Sequence, residues 1–231
     1  MSQAAAGAMS PSRTADEKAR LAAEIERVVW PWIEAGTVKA VVDRTFPLAE
    51  AAQAPKDFLF AWKVSRFITH NKKLKDCPDS VDLVFGRMAP LGEKLGPALV
   101  QLPPQLRRND ERLESFMAWL PKDQRVAFEF RHDSWYDQGV YDLLRRHKCA
   151  FVISDHHSAP APTLVTADWV YWRGHGPGGR YAGSYSDEAL AAVARDIEGW
   201  RARGLDVYAY FDNDIKSAAP HDALRLRALL A

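Results

Sequence analysis

Residues 126–137, "VAFEFRHDSWYD", begin as an apolar strand and pass directly into charged side chains with no turn residue between them. An apolar run without polar alternation is typical of a strand buried on both faces of a parallel sheet. In α/β proteins the functional residues gather at the carboxyl ends of such strands, where the loops surround a common mouth. We therefore predict that Glu129, Arg131, His132 and Asp133 lie at the rim of a site.

Five further runs, "FLFAWKV", "PALVQL", "AFVIS", "WVYWR" and "VYAYF", have the same apolar character and the same polar ending. Helical patterns separate several of them, among them "DERLESFMAWL", "VYDLLRRH" and "SDEALAAVARDIEGWRARG". This βα alternation predicts an α/β fold. Its spacing of about 30 residues suits a (β/α)₈ barrel. A doubly wound open sheet gives the same alternation, so periodicity leaves both architectures open.

Bulk composition narrows the class of protein. With 231 residues, 47% of them hydrophobic, the chain can bury the core of one large or two small domains. A formal charge of +1 provides no general field for nucleic acid or anionic membrane, so anion binding must be local. Cys77 and Cys149 are predicted to be buried free thiols, and no run is long enough to cross a bilayer. These features predict a cytoplasmic protein without a membrane anchor.

The polar strand ends supply a mixed set of candidate site residues. They are Lys63, Arg66, His70, Gln101, Glu129, Arg131, His132, Asp155, Arg173, His175, Asp212 and Asn213. Guanidinium groups bind phosphate or carboxylate, and a nearby carboxylate or imidazole can move a proton, so a small anionic substrate is predicted. Residues two apart in a strand share a face, which places Glu129 and Arg131 on one side and His132 on the other. A buried salt bridge explains the inward pair equally well.

Three functional hypotheses remain open. The first is a hydrolase or lyase acting on a small anionic, phosphorylated substrate, with no required cofactor. In it Arg66, Arg131 and Arg173 bind the anion, Glu129 or Asp155 is the general base, and His70 or His175 is the acid. Lys63, Gln101, His132 and Asn213 complete the substrate contacts. The second is a nucleotide-binding or nucleic-acid-binding module without catalysis, and the third is an inactive truncated barrel.

Other motifs are weaker. The stretch "GHGPGG", residues 174–179, fits a dinucleotide fingerprint formally, but Pro177 and the distance to a helix near Ser186 break the required context. A glycine loop whose amides receive phosphate is favoured instead. A divalent-metal site built from the histidines and acidic residues is an alternative, although no His or Cys spacing supports it. Trp62, Trp135 and Trp172 could stack on a flat ligand, but core packing is the usual role of such residues.

Five motifs in order resemble the YecE-like family, formally domain of unknown function 72. They are "FLFAWKVSRFITHNKKL", "LGPALVQLPPQ", "VAFEFRHDSWYD", "VYWRGHG" and "VYAYFDND", within about residues 57–230. The resemblance implies a TIM-like barrel in which the six runs are the third to eighth strands. It also implies polar groups at the candidate positions above and at Thr69, with Asp212 where the family more often has Asn. The family has no established reaction, so no chemistry follows from the resemblance.

The N-terminal quarter departs from that family. We predict a disordered segment at residues 1–13, an atypical helix and strand segment at 14–56, and the barrel domain at 57–231. Residues 32–54 are similar to the carboxyl tail of zinc-type alcohol dehydrogenases and quinone oxidoreductases, and the family's glycine-containing first strand is absent. We therefore expect an incomplete barrel with about six βα units and an N-terminal helix over the gap. Open edges of this kind favour self-association.

Overall fold

The computed structural model describes residues 58–231, in which six parallel strands alternate with helices. The strands are β1 (Phe60–Lys63), β2 (Leu95–Gln101), β3 (Val126–Glu129), β4 (Ala150–Ser154), β5 (Trp169–Gly174) and β6 (Asp206–Phe211). The helices are α1 (Pro78–Met88), α2 (Asp110–Ala118), α3 (Gln138–Arg146), α4 (Asp187–Ala202) and α5 (Ala218–Leu229). Each of the six apolar runs predicted from residue 58 onward forms a strand, which confirms the α/β prediction.

The sheet is sequential and strongly curled. Its order is β1-β2-β3-β4-β5-β6, with every neighbouring pair parallel. Arg125, just before β3, donates from Nη1 to the Tyr208 hydroxyl of β6 over 2.9 Å. Strands three places apart in a flat sheet would be separated by roughly 14 Å, with their side chains pointing in parallel directions, so these two side chains meet because the sheet bends into part of a barrel.

The predicted incomplete barrel is confirmed for the described chain. Within residues 58–231, β1 and β6 are the two ends of the sheet and do not pair with each other. The predicted disordered start and the predicted N-terminal helix and strand fall on residues 1–57, outside the described part of the chain. Self-association through the sheet edges therefore stays a prediction.

Alternation along the strands separates an inner face from an outer one. The inner face carries a small apolar cluster of Leu99, Ala127, Ala150, Val152, Trp169 and Tyr171. Two residues further along each strand, the inward-facing side chains are polar. Gln101 lies beside Glu129, and Ser154 lies beside Arg173, in the strand register. The interior is therefore apolar in the middle of the barrel and polar at its carboxyl end, which we call the mouth.

The helices cover the outer face of the sheet. Ser186 caps α4 by accepting a hydrogen bond on Oγ from the Ala189 amide at 3.2 Å. Leu190, Ala194 and Ile197 lie on one face of α4 and are buried. Burying a side chain the size of leucine contributes about 1.5–3 kcal/mol, so these contacts hold the helix on the sheet.

Both cysteines are free and buried, as predicted. Burial raises the pKa of the Cys149 thiol to about 12, so this residue behaves as a small apolar core group at neutral pH. In the part of the chain that the structure describes, no helix combines the length and the apolar character needed to span a bilayer.

Candidate active site

The centre of the mouth is a buried carboxylate held between two guanidinium groups. Glu129 ends β3 and is 0% exposed. Arg173 donates from Nη1 to its Oε2 over 2.6 Å, and Arg131 pairs with its Oε1. Burial alone raises the pKa of Glu129, but the positive charges of Arg173 and then Arg131 outweigh it, leaving the pKa below its usual range. Glu129 is therefore an ionised, fixed counter-ion.

Arg173 extends this ion pair to the last strand. Its Nη2 donates to Asp212 Oδ2 over 2.5 Å, just beyond the end of β6. Burial acts to lower the pKa of Arg173, yet the carboxylates of Glu129 and Asp212 raise it above its ordinary value. The guanidinium thus joins the ends of β3 and β6 through two charged hydrogen bonds, each stronger than a neutral one.

His175, two residues beyond Arg173, is fully buried beside Asp155. Its backbone amide donates to Asp155 Oδ1 over 2.6 Å, and its Nδ1 lies 3.2 Å from the same oxygen and 3.3 Å from Ser154 Oγ. Its Nε2 lies 3.0 Å from Arg131 Nη2. Burial tends to raise the pKa of Asp155, but hydrogen bonds from His175 and Tyr185 bring it below the usual range.

These neighbours determine where the imidazole proton sits. An ionised carboxylate only accepts hydrogen bonds and a guanidinium only donates them. The imidazole therefore carries its proton on Nδ1, facing Asp155, and presents the Nε2 lone pair to Arg131. This is the tautomer that an aspartate stabilises in the histidine of serine hydrolase triads.

Tyr181 separates this histidine from solvent. Its hydroxyl accepts a hydrogen bond from Arg131 Nη1 over 3.1 Å, and its ring centroid lies 5.3 Å from that of His175. Tyr181 itself is 39% exposed. His156 packs on the same tyrosine, and burial, followed by the charge of Arg131, lowers the pKa of His156 to about 4. A molecule approaching His175 from solvent meets Tyr181 first.

The opposite side of the mouth, around β1 and β2, is positively charged. Lys63 donates from Nζ to Gln101 Oε1 over 2.6 Å. Partial loss of solvent, and then the charge of Arg173, lower the pKa of Lys63. Burial lowers the pKa of His70 to about 4, and the charges of Arg66 and Lys63 contribute. This side of the mouth is therefore suited to anions.

We expect the Arg66→Gln substitution to raise the pKa of His70 from about 4 toward its ordinary value of 6.5, because removing a positive neighbour favours the protonated imidazole. Titration of the His70 ring by NMR measures this. Since the folded pKa lies below the unfolded one, wild-type stability should fall as the pH drops from 6.5 toward 4, and less so in the variant. Arg66→Lys keeps the charge and serves as the control; equal His70 pKa values in both variants would contradict the expectation.

Two predicted substrate contacts lie outside this cluster. His132 accepts the Ser134 amide on Nδ1 over 3.1 Å and begins a short 3₁₀ turn, on the opposite side of the strand from Arg131. Asn213 donates from Nδ2 to the Gly183 carbonyl over 2.7 Å and to Asp222 Oδ2 over 2.8 Å. Both therefore hold loops in place here.

The tryptophans pack in the core. Trp135 is buried and donates from Nε1 to the Leu106 carbonyl over 2.7 Å. Trp172 packs in the apolar core between the outer face of the sheet and the helices. Trp62 packs edge-on against Phe85 with ring centroids 4.9 Å apart. Core packing therefore accounts for all three residues.

The glycine loop after β5 is folded on itself. Gly176 and Gly179 have positive φ angles of 93° and 63°. The Gly176 amide donates to the Tyr185 hydroxyl over 2.8 Å, and the Gly179 amide donates to the Gly176 carbonyl over 2.7 Å. These two amides are therefore occupied within the loop. Helix α4 starts only at Asp187, so the strand-turn-helix context of a dinucleotide fingerprint is absent here, as predicted.

Sequence reasoning missed the tyrosines and the aspartate that support the site. Tyr181 and Tyr185 follow the glycine loop, and Asp222 lies in α5. An aromatic residue in a loop is usually interpreted as a packing residue, and no local sequence pattern distinguishes Asp222 as part of a site. Among residues 58–231, no three His, Cys, Asp or Glu side chains are grouped to hold a metal ion.

A family model described as "Protein of unknown function DUF72" matches residues 48–231. The chain belongs to the DUF72 family. The family match begins nine residues before the predicted start of the barrel domain at residue 57, and it overlaps the end of the dehydrogenase-like segment at 32–54. It supplies no reaction.

Solved DUF72 structures share the fold. A DUF72 family protein from Thermotoga maritima is 28% identical, with a TM-score of 0.72 over 82% of each chain. One from Enterococcus faecalis is 23% identical, with a TM-score of 0.67 over 81% of this chain and 86% of that one, and supports the fold alone. The curated relative UPF0759 protein YecE of Escherichia coli K12 is 32% identical over 88 residues, which span 38% of this chain and only 32% of YecE.

Proposed function

We propose that this DUF72 protein is a hydrolase or lyase that acts on a small anionic, phosphorylated substrate in the mouth. The observation that carries the proposal is the position of His175 between Asp155 and Arg131, across the mouth from cationic Lys63 and Arg66. An oriented imidazole beside cationic side chains suits proton transfer on a bound anion.

Anion binding falls mainly to the β1 side. Arg131 and Arg173 are already paired with carboxylates, so much of their charge is compensated. Lys63 and Arg66 are exposed, and their positive charges are strong enough at His70 to lower its pKa. A phosphate or carboxylate at this position would accept hydrogen bonds from both.

The proposal assigns proton transfer to His175. Its Nε2 lone pair faces Arg131 Nη2, and Asp155 holds the ring in that orientation. Glu129, locked between two arginines with a lowered pKa, is a poor base and acts as a counter-ion. This differs from the sequence prediction, which gave the base to Glu129 or Asp155 and the acid to His70 or His175. His70, with a pKa of about 4, would contact substrate as a neutral ring.

A thermal-shift screen of phosphorylated metabolites and inorganic phosphate, with and without divalent ions, tests the binding part. A ligand at 100 times its Kd stabilises the folded state by about 2.7 kcal/mol. We expect Lys63→Gln combined with Arg66→Gln to weaken binding at least about tenfold, a change of about 1.4 kcal/mol. Arg195→Gln, an exposed cation on α4, is the matched control. A screen without hits, or equal affinity in both variants, would count against the proposal.

The catalytic part is tested with any compound that binds. We expect His175→Asn to retain binding but to lower turnover by about 10²–10⁴-fold, the usual contribution of a general acid or base. Release of phosphate or of the eliminated product is the measurement. Unchanged turnover in His175→Asn would remove His175 from the mechanism.

A basic segment after β1 favours a second candidate, a nucleic-acid-binding module without catalysis. Arg66, Lys72, Lys73 and Lys75 are exposed there, and Phe67 is 48% exposed with Lys72 Nζ 5.9 Å from its ring centre. Exposed cations and an aromatic ring suit a single-stranded backbone and a stacked base. Binding of an oligonucleotide that weakens steeply with salt, without turnover, would favour this candidate. A non-cooperative melt would instead favour an inactive remnant.

A further inference from the structure

We propose that Tyr185 is a positioning residue that sets the tautomer of His175 by acting through Asp155. The inference deepens the proposed function, because the Nε2 lone pair matters for catalysis only if His175 transfers a proton. Tyr185 is buried and lies outside the described strands and helices, and its hydroxyl bonds to Asp155 and to the Gly176 amide.

The Tyr185 hydroxyl both donates and accepts a hydrogen bond. It donates to Asp155 Oδ2 and accepts a hydrogen bond from the Gly176 amide over 2.8 Å. The carboxylate is thereby divided between two partners: Oδ2 faces the tyrosine and Oδ1 faces the backbone and ring of His175. The Asp155 side chain is 36% exposed, and the Tyr185 bond at Oδ2 acts together with the His175 amide at Oδ1 to keep it from rotating toward water.

The competing tautomer, with the proton on Nε2, would also find hydrogen-bond acceptors. His175 Nε2 lies 3.5 Å from Asp212 Oδ2 and 3.6 Å from Glu129 Oε1, so a proton on Nε2 would face two carboxylates once Arg131 Nη2, 3.0 Å from Nε2, turns its N–H away. On the other side of the ring, Ser154 Oγ lies 3.3 Å from Nδ1, and a hydroxyl can donate as well as accept. Once Asp155 turns away, nothing at Nδ1 requires a proton there.

The backbone of Tyr185 is anchored by a second buried group. Asp222, 0% exposed, accepts hydrogen bonds from the Tyr185 amide over 3.0 Å, from Asn213 Nδ2 over 2.8 Å and from Arg225 Nη1 over 2.8 Å. These contacts fix the tyrosine relative to the end of β6. Asn213, predicted from sequence as a substrate contact, acts on the site through this anchor.

Nitrogen NMR of ¹⁵N-histidine-labelled protein measures the tautomer directly, with His175→Asn assigning the signal among the seven histidines. We expect the wild-type protein to show a protonated Nδ1 at His175. Tyr185→Phe should shift the population toward protonated Nε2 by about tenfold or more, the effect of losing a hydrogen bond to a charged group. Tyr136→Phe is the control, since its hydroxyl also donates a partly buried hydrogen bond, to the Ala159 carbonyl over 2.6 Å.

An unchanged His175 tautomer in folded Tyr185→Phe overturns the inference. If that variant does not fold, Asp155→Asn decides, because an unchanged tautomer there removes the link through Asp155. In the double variant we expect no shift beyond that of Asp155→Asn; additive shifts would mean that Tyr185 acts by another route. The measurement needs no substrate. Failure to find any phosphorylated ligand would therefore overturn the proposed function and leave the tautomer result standing.

Discussion

Replacing Arg173 with methionine is expected to lower the free energy of unfolding by about 3–5 kcal/mol, the usual effect of removing one partner from a buried ion pair. The substitution keeps a long side chain but leaves Glu129 and Asp212 without the guanidinium that joins them. Urea denaturation at pH 7 measures the loss. Arg145→Met is the control, because its ion pair with Asp142 is exposed and is worth at most about 1 kcal/mol.

The pH dependence distinguishes the lost charge pairing from simple loss of packing. In the wild-type protein the folded pKa of Glu129 is lowered, so its contribution is present above the unfolded value of about 4.3 and is lost as the pH falls through the folded pKa. Without Arg173, burial is expected to raise the Glu129 pKa. The variant should then gain stability relative to wild type as the pH falls from 7 toward 4.5. A pH-independent difference between the two proteins would point to packing alone.

Gly179→Ala is expected to cost about 2–4 kcal/mol, from the left-handed backbone conformation and from overpacking. Gly179 has φ of 63°, and a Cβ there would collide with the Asp155 carbonyl oxygen and the His157 amide nitrogen. Both are main-chain atoms that cannot move aside independently. We also expect the His175 NMR signals to change, because Asp155 must shift. Urea denaturation and the histidine spectrum check the two effects.

Gly178→Ala is the matched control in the adjacent position. A Cβ on Gly178 meets nothing within 4 Å. We expect its effect on stability to stay within about 0.5 kcal/mol, as for most surface changes. Similar losses in the two variants would show that the loop responds to any added methyl group and not to the contact with Asp155.

The strands were predictable because burial on both faces requires an uninterrupted run of apolar residues, which is visible in the local sequence. In β4 all five residues, "AFVIS", are buried, and their apolar run gives both the element and its ends. Helix α1 was not predicted, because it buries only Val81 and Phe85 and its "PDSVDLVFGRM" sequence has no long apolar face. Helix α5 contains Pro220 in its first turn, which obscured its periodicity.

The charged part of the site was predictable for the same local reason. Glu129 and Arg131 are two residues apart at a strand end, and alternation alone puts them on one face. Tyr185 could not be found in this way. It reaches Asp155 only because the loop from Gly176 to Gly183 turns back over β5, and that path depends on long-range contacts with Asp222. The roles of these residues stay predictions.

Two arginines at opposite ends of the strands also limit how far the sheet can flatten. Arg125 links β3 to β6 at the amino end, and Arg173 links the ends of β3 and β6 at the carboxyl end. A sheet whose outermost strands do not pair with each other, as among residues 58–231, would otherwise be free to flatten. Among residues 58–231, these two guanidinium groups therefore brace the curl of the sheet, so the width of the mouth depends on the reach of two side chains.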